Sequence, residues 1–302
     1  MANTRVLVTR RKAVRNTRKI TKTMEKISTA KLAKAQHAAI SARPYANKLK
    51  EIIGQVAAAS ADIKHPLLEA HDHPKKAVVI LLTSDRGLCG AFNSNLVKAA
   101  KTLISELKAK GRDLEFIVQG KKGIGAFKYL NLPIAERLIG VSDKPAYSRA
   151  EQIADKLIER YGRKDIDEVY MVYSAFKGPA SQMPVSEMIL PLSGLKGESA
   201  AEEKGKPAAS AKKEPEGAGY IFHPNPTEIL TQVLPLVVKM TVFTAMLQNT
   251  ASEHAARRVA MKNATDSADD MIKALSRAYN RARQGKITQE IAEIVGGANA
   301  LA

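Results

Sequence analysis

Four groups of residues in this chain are of types that do chemistry elsewhere. Gly120-Lys-Lys-Gly-Ile-Gly125 has the glycine density of a loop whose successive amides cradle a phosphate. It fits neither the Walker spacing nor G-x-G-x-x-G, so no nucleotide site is expected there. Cys89, in Arg86-Gly-Leu-Cys-Gly90, follows an apolar run and so occupies the place of a nucleophile. Glycines and apolar neighbours supply it no base, so a small packed residue is the expectation. His65, His71 and His73 surround Asp72 and include an H-x-H pair, but the stretch brings no convincing fourth ligand for zinc. Ser252, Glu253 and His254 have the residue types of a catalytic triad. As neighbours on a helix they fan out instead of converging. No catalytic, cofactor-binding or metal-ligating residue is assigned, and no cofactor is implied.

The elements that must position these residues begin with a basic helix. Residues 1–50 hold 14 Lys and Arg against one acid, Glu25, and thus carry +13 of the formal net charge of +18. Glycine and proline are absent before Pro44, and Ile20, Met24 and Ile27, then Leu49, Ile52, Ile53 and Val56, recur at helical spacing. Pro44 should kink or interrupt that helix. The opposite end mirrors it. After Pro235 no proline follows, and Gly285 is the only glycine before Gly296. Met261, Ala264, Ala268, Met271, Leu275, Ala278 and Ala282 alternate by three and four, which predicts a coiled-coil seam. Its small residues call for a partner helix at close range, and the N-terminal helix is the obvious one.

Between the two lies a different pattern. Ala77–Thr83 is a continuous apolar run suited to a buried parallel strand. Leu114–Val118, Glu168–Ser174 and Met183–Leu192 read as further strands. Phe92–Lys110, Lys121–Tyr129 and Ser148–Tyr161 read as helices, and Gly120–Gly125 as a loop. The alternation predicts a three-layer α/β unit. Gly194–Gly219, built from Gly, Ala, Ser, Pro, Glu and Lys with a lone Leu195, reads as a disordered insertion. The expected organisation is a shaft helix over 1–60, an α/β domain over 76–193, the insertion over 194–219, and a second shaft helix over 226–296.

Composition limits what such an architecture does. The chain has 302 residues, 5% aromatics and no Trp, which suits aliphatic and alanine packing in long helices. One cysteine excludes an internal disulfide framework and fits a reducing compartment. No apolar run of signal-peptide or membrane-spanning length is evident, so a soluble protein made where it works is expected. The basic surplus favours an anionic partner. Nucleic acid is one candidate, but Tyr45 is the only aromatic in residues 1–50, leaving no stacking platform for single strands.

Three blocks of the sequence resemble a family. Asn16–Gln36 (NTRKITKTMEKISTAKLAKAQ), Thr83–Leu96 (TSDRGLCGAFNSNL) and Ser252–Ala298, from SEHAARRVAMKNATDSADDMI to YNRARQGKITQEIAEIVGGA, resemble the gamma subunit of F-type ATP synthases. The blocks stand in family order and cover about a third of the chain. The resemblance implies a fold of the α/β class: a long antiparallel two-helix coiled coil from the terminal helices plus a central Rossmann-like domain. It implies a non-catalytic rotor that transmits torque between a proton-driven or sodium-driven c-ring and a ring of alpha and beta subunits. It also implies epsilon as a partner, no nucleic acid, and a peripheral position on the cytoplasmic face of a bacterial inner membrane. On the same ground Met24, Lys26, Arg257, Arg283, Gln284, Thr288 and Glu290 are expected to contact other subunits. Two departures stand out. The insertion at 194–219 is unlike the compact bacterial pattern, and with Cys89 alone the chain lacks the two-cysteine switch of photosynthetic relatives. The competing readings are a basic protein binding RNA or DNA without sequence preference, and an enzyme using Cys89.

Overall fold

The computed structural model describes residues 4–59, 65–178, 181–192 and 226–301. The insertion at 194–219 lies outside them. The first helix, α1 (Thr4–Ala59), is followed by β1 (Lys76–Leu82), α2 (Phe92–Ala109), β2 (Asp113–Gln119), α3 (Lys121–Tyr129) and β3 (Glu136–Leu138). Then come α4 (Tyr147–Gly162), β4 (Glu168–Gly178), β5 (Ser181–Leu190) and the 76-residue helix α5 (Pro226–Leu301). At 1.5 Å per residue α5 is about 114 Å long and α1 about 84 Å. Pro44 does not break α1, which runs through it as one helix; the missing amide is a single lost rung, and flanking turns hold the rest.

The five strands form one sheet in the order β3-β2-β1-β4-β5, with β5 the antiparallel member. β1 is central and, as the sequence predicts, buried on both faces. Val78, Ile80 and Leu82 face one cluster and Ala77, Val79 and Leu81 the other. The layer of α2 and α3 closes the second face through Phe92, Leu96, Leu107 and Phe127. The opposite face packs on α4 and on the first third of α5, with Leu157 and Tyr161 meeting Leu230, Leu234, Val238 and Met246. That first third includes an 18-residue window apolar enough, at mean hydropathy 1.7, to cross a bilayer. Its apolarity has a structural use, because Leu230, Leu234, Val238 and Met246 fill the domain core.

Two sequence expectations need correcting here. β3 is a three-residue strand too short to announce itself by alternation. The segment Gly120–Gly125 is not a loop; α3 starts at Lys121, directly after Gly120. Gly120 has φ +92°, and a Cβ there would lie 2.3 Å from the Thr83 carbonyl oxygen. A Cβ on Gly123 would lie 2.6 Å from Thr83 Oγ1. These two glycines exist to let α3 press against the end of β1, not to approach a ligand.

Candidate functional site

In a sheet of this order the strands run outward in both directions from β1, so the crevice at the carboxyl ends of β1 and β4 is where such folds take a ligand. Here much of that crevice is filled from within, and a cavity of about 340 Å³ lined by Cys89, Phe92, Ser174, Pro184 and Ala256 remains beside it. Asp85, just past β1, accepts hydrogen bonds from the Lys121 amide (3.1 Å), the Gly140 amide (3.0 Å) and the Ser142 hydroxyl (3.1 Å). Thr83 Oγ1 accepts from the Gly123 amide at 2.9 Å. The amides at the start of α3 that would hold a phosphate are therefore satisfied by a carboxylate and a hydroxyl of the chain itself.

The rest of the crevice is occupied by α5. β1 pairs with β4 only as far as Leu81↔Val172, so β4 continues with one edge open. Ser174 presents its backbone into that gap. Its amide donates to Asn249 Oδ1 (3.0 Å), and its carbonyl accepts from Ser252 Oγ (3.0 Å). Thr250 Oγ1 reaches the Ser142 carbonyl at 2.8 Å. Arg257 donates from Nε to the Gly87 carbonyl (3.3 Å) and from Nη2 to the Arg86 carbonyl (3.2 Å). All four α5 side chains are buried.

Beneath them is a charged network. Arg257 pairs with Glu253 at 2.7 Å and lies 3.3 Å from His254 Nδ1, while His254 Nε2 lies 3.7 Å from Asp143, which takes Lys31 of α1 at 2.7 Å. Ser252 turns away to the Ser174 carbonyl, while Glu253 and His254 share Arg257, so the three form no triad. Burial, then the Arg257 charge, depresses the His254 pKa to about 4, and burial raises that of Glu253. Asp143, Glu253 and His254 offer ligand atoms within 4.8 Å of one another. Lys31 and Arg257 already balance the two carboxylates, so a divalent ion would add uncompensated positive charge.

The remaining candidates are taken up structurally. Cys89 is buried, its sulfur accepting from Asn93 Nδ2 at 3.2 Å and lying 3.9 Å from Ser84 Oγ. His71 stacks on Tyr161 and pairs with Asp167 at 2.6 Å, whereas His65 accepts from the Leu67 amide.

Beyond the junction the two helices run antiparallel. Arg11 lies over the Tyr279 ring, Arg18 pairs with Asp269, and the Thr21 and Thr265 hydroxyls meet at 2.7 Å. The seam is the predicted one only in part: Met261 and Ala268 hold, while Met271 and Ala278 are exposed. On α1 it is Thr21, Ser28, Leu32, Ala35 and Ala39, while Ile20 and Ile27 point out at 61% and 52% exposure. On α5 it runs through Met261, Thr265 and Ala268 and then shifts past the exposed Met271 to half-buried Ile272. Counting only apolar residues hid part of the seam, because Thr21 and Thr265 hold seam positions by hydrogen bonding across it and Ser28 is buried in it.

Met24 is half-buried beside this seam and Lys26 is exposed. Arg283, Gln284, Thr288 and Glu290 lie on the last part of α5, where every described side chain from 283 onward is exposed. There Thr288 donates to the Gln284 carbonyl and Lys286 pairs with Glu290. Arg257 stands apart from these residues. It is 6% exposed and spends its donors inside the chain, so the expectation of an inter-subunit contact gives way to one between shaft and domain. Sequence reasoning missed Asn249 and Thr250, and weighed Ser252 only as a triad candidate. Their signal, three small polar residues in the midst of an otherwise apolar helix face, is intelligible only once β4 is known to end beside them.

A shaft of two antiparallel helices rooted in the crevice of an α/β sheet makes this a stalk protein. Residues 3–301 match the family model described as ATP synthase. The ATP synthase gamma chain of Leptospira biflexa serovar Patoc is 40% identical over 301 residues, covering all of both chains. That of Streptomyces coelicolor is 41% identical and covers all of this chain and 97% of the other. The chain belongs to the ATP synthase gamma-chain family. The fold agrees with the structure of the Euglena gracilis mitochondrial ATP synthase rotor, at a TM-score of 0.61 and 19% identity, covering 94% of this chain and 100% of that one.

Proposed function

We propose that this chain is the non-catalytic rotor of a rotary ATP synthase, turning within a ring of alpha and beta subunits and carried on a c-ring with epsilon at its foot. It would work as a peripheral component on the cytoplasmic face of a bacterial membrane. The observation that carries this reading is the rooting of the shaft. α5 occupies the sheet crevice with directional polar contacts and then extends into a segment whose side chains are all exposed, an arrangement suited to passing rotation from domain to tip.

Charge supports the same reading. Arg10, Lys12, Arg15, Lys19, Lys22, Lys26 and Lys34 enter no ion pair among the described residues, nor do Lys98, Lys101 and Lys122, which line a groove between α2 and α3. Unneutralised lysines and arginines along a shaft match acidic surroundings, and opposite charge would tie shaft angle to the conformation of the surrounding sites. Met24, Lys26, Arg283, Gln284, Thr288 and Glu290 are the residues proposed to meet that ring.

Purification with the alpha and beta chains tests the reading, together with ATP-driven proton pumping of the assembled complex. In Met24→Lys a further cation beside the seam should lower protons pumped per ATP while the complex still assembles. Recovery of the chain with nucleic acid that leaves as salt is raised would favour the competing reading instead.

A further inference from the structure

A rotor must resist twist where it leaves its base, and the crevice shows what resists it. Apolar packing is not directional, so an apolar helix face slides about its axis at modest cost. Hydrogen bonds weaken steeply once bent, so a helix held by several of them to fixed backbone has one preferred angle. Along α5 the first third is held by Leu230, Leu234, Val238 and Met246 in the domain core, with Lys239 pairing to Glu151 and Asp155 of α4, and the contacts to fixed backbone begin at Asn249.

We propose that Asn249 and Ser252 are the positioning residues that lock the angle of the shaft to the α/β domain, gripping both backbone groups of Ser174 and so passing torque into the sheet itself. Three observations converge on them. Ser174 lies beyond the last β1–β4 pair, so its amide and carbonyl have no strand on that side, and α5 supplies the missing partners. The two residues are three apart, so both reach the same backbone unit from one helix face. They are 1% and 0% exposed and Ser174 is 3% exposed, so water cannot replace either bond when it is broken. Strand β4 is in turn paired on both sides up to Val172, which makes it a stiff anchor. Thr250 on the Ser142 carbonyl adds a second, independent point of hold. The lock deepens the rotor reading and rests on it.

The test uses the assembled complex with its alpha–beta ring fixed to a surface. A probe is attached through Tyr129→Cys, a position 87% exposed on α3 and far along the chain from the lock. Angular variance of the probe during pauses between steps reports the compliance of the path from domain to tip. Asn249→Leu with Ser252→Ala keeps the branched skeleton at 249 and removes both bonds, and the variance should rise at least about twofold. Ser252→Thr keeps the hydroxyl and should match the unmodified chain, while Ser252→Ala alone should lie between. Protons pumped per ATP should fall in the double variant and recover in Ser252→Thr. Unaltered variance in the double variant overturns the lock. If the double variant fails to assemble, equal variance for Ser252→Ala and Ser252→Thr overturns it instead. An unmodified complex that assembles but does not rotate overturns the rotor reading, and the lock with it.

Discussion

The middle and the C-terminal part of α5 belong to one helix and behave in opposite ways. Around residues 249–257 polar side chains are buried and bond to backbone or to a counter-charge of the same chain, with only Asn249 Nδ2 and Glu253 Oε2 left unpartnered there. From residue 283 onward polar and apolar side chains alike are exposed, with Ile287, Ile291, Ile294 and Val295 between 46% and 72%. The first region specifies a single geometry because a broken buried bond leaves an orphaned group. Among the described residues the second makes side-chain hydrogen bonds and ion pairs only within its own helix. Its residues are therefore expected to act on other chains, and substitutions should separate the two regions by what they damage.

The largest separation is expected at Arg257. Arg257→Ala strands the Glu253 carboxylate in a site already desolvated, at a cost of roughly 3–5 kcal/mol. Urea unfolding of the isolated chain should show that loss. A change below about 1 kcal/mol would mean that the crevice is wet and that the proposed division of α5 is wrong.

The next contrast uses pH. His254 has a pKa pulled from 6.5 to about 4, so the unfolded chain takes up a proton between those values while the folded chain does not. Stability from this group is therefore present above about 6.5 and lost as pH falls toward 4, by on the order of 3 kcal/mol at most. Glu253 works against that loss, because its raised pKa favours the folded chain at the acid end. His254→Asn should flatten the acid side of the stability profile between pH 6.5 and 4. An unchanged slope in that variant would place the acid sensitivity elsewhere.

At the exposed end the effect should appear in activity alone. Arg283→Ala with Gln284→Ala should leave the unfolding midpoint of the isolated chain within about 0.5 kcal/mol of the parent, as for other surface changes. The same pair should lower ATP hydrolysis by the assembled complex. Unchanged turnover would show these side chains to be surface only.

The smallest effect belongs to the seam between the regions. A double-mutant cycle on Thr21→Val and Thr265→Val should return a coupling of about 0.5–1.5 kcal/mol for their hydroxyl pair. Zero coupling would mean that side-chain volume alone sets the register of the two helices.

How much of this was legible beforehand differs between the parts. The two long helices follow from composition, since the chain withholds glycine and proline over long stretches and spaces its apolar residues by three and four. The buried central strand follows from the unbroken run Ala77–Leu82. The seam followed only in part: Met261 and Ala268 are in it, but Ile20, Ile27 and Met271 are as apolar as a core residue and yet face outward. Periodicity alone gives a stripe, and only the partner helix decides which of two adjacent stripes it covers.

What the sequence by itself determined is everything set by local spacing: the element types, the concentration of positive charge at the N-terminal helix, and the family to which its three blocks belong. What only the tertiary structure decided is the crevice. Asp85 and the α5 stretch holding Asn249, Ser252 and Arg257 come from distant points of the chain, and the grip of Asn249 and Ser252 depends on β1 ending before β4 does. No local pattern encodes that mismatch in strand length. It arises when the sheet closes, leaves the backbone of Ser174 without a strand partner, and α5 satisfies it.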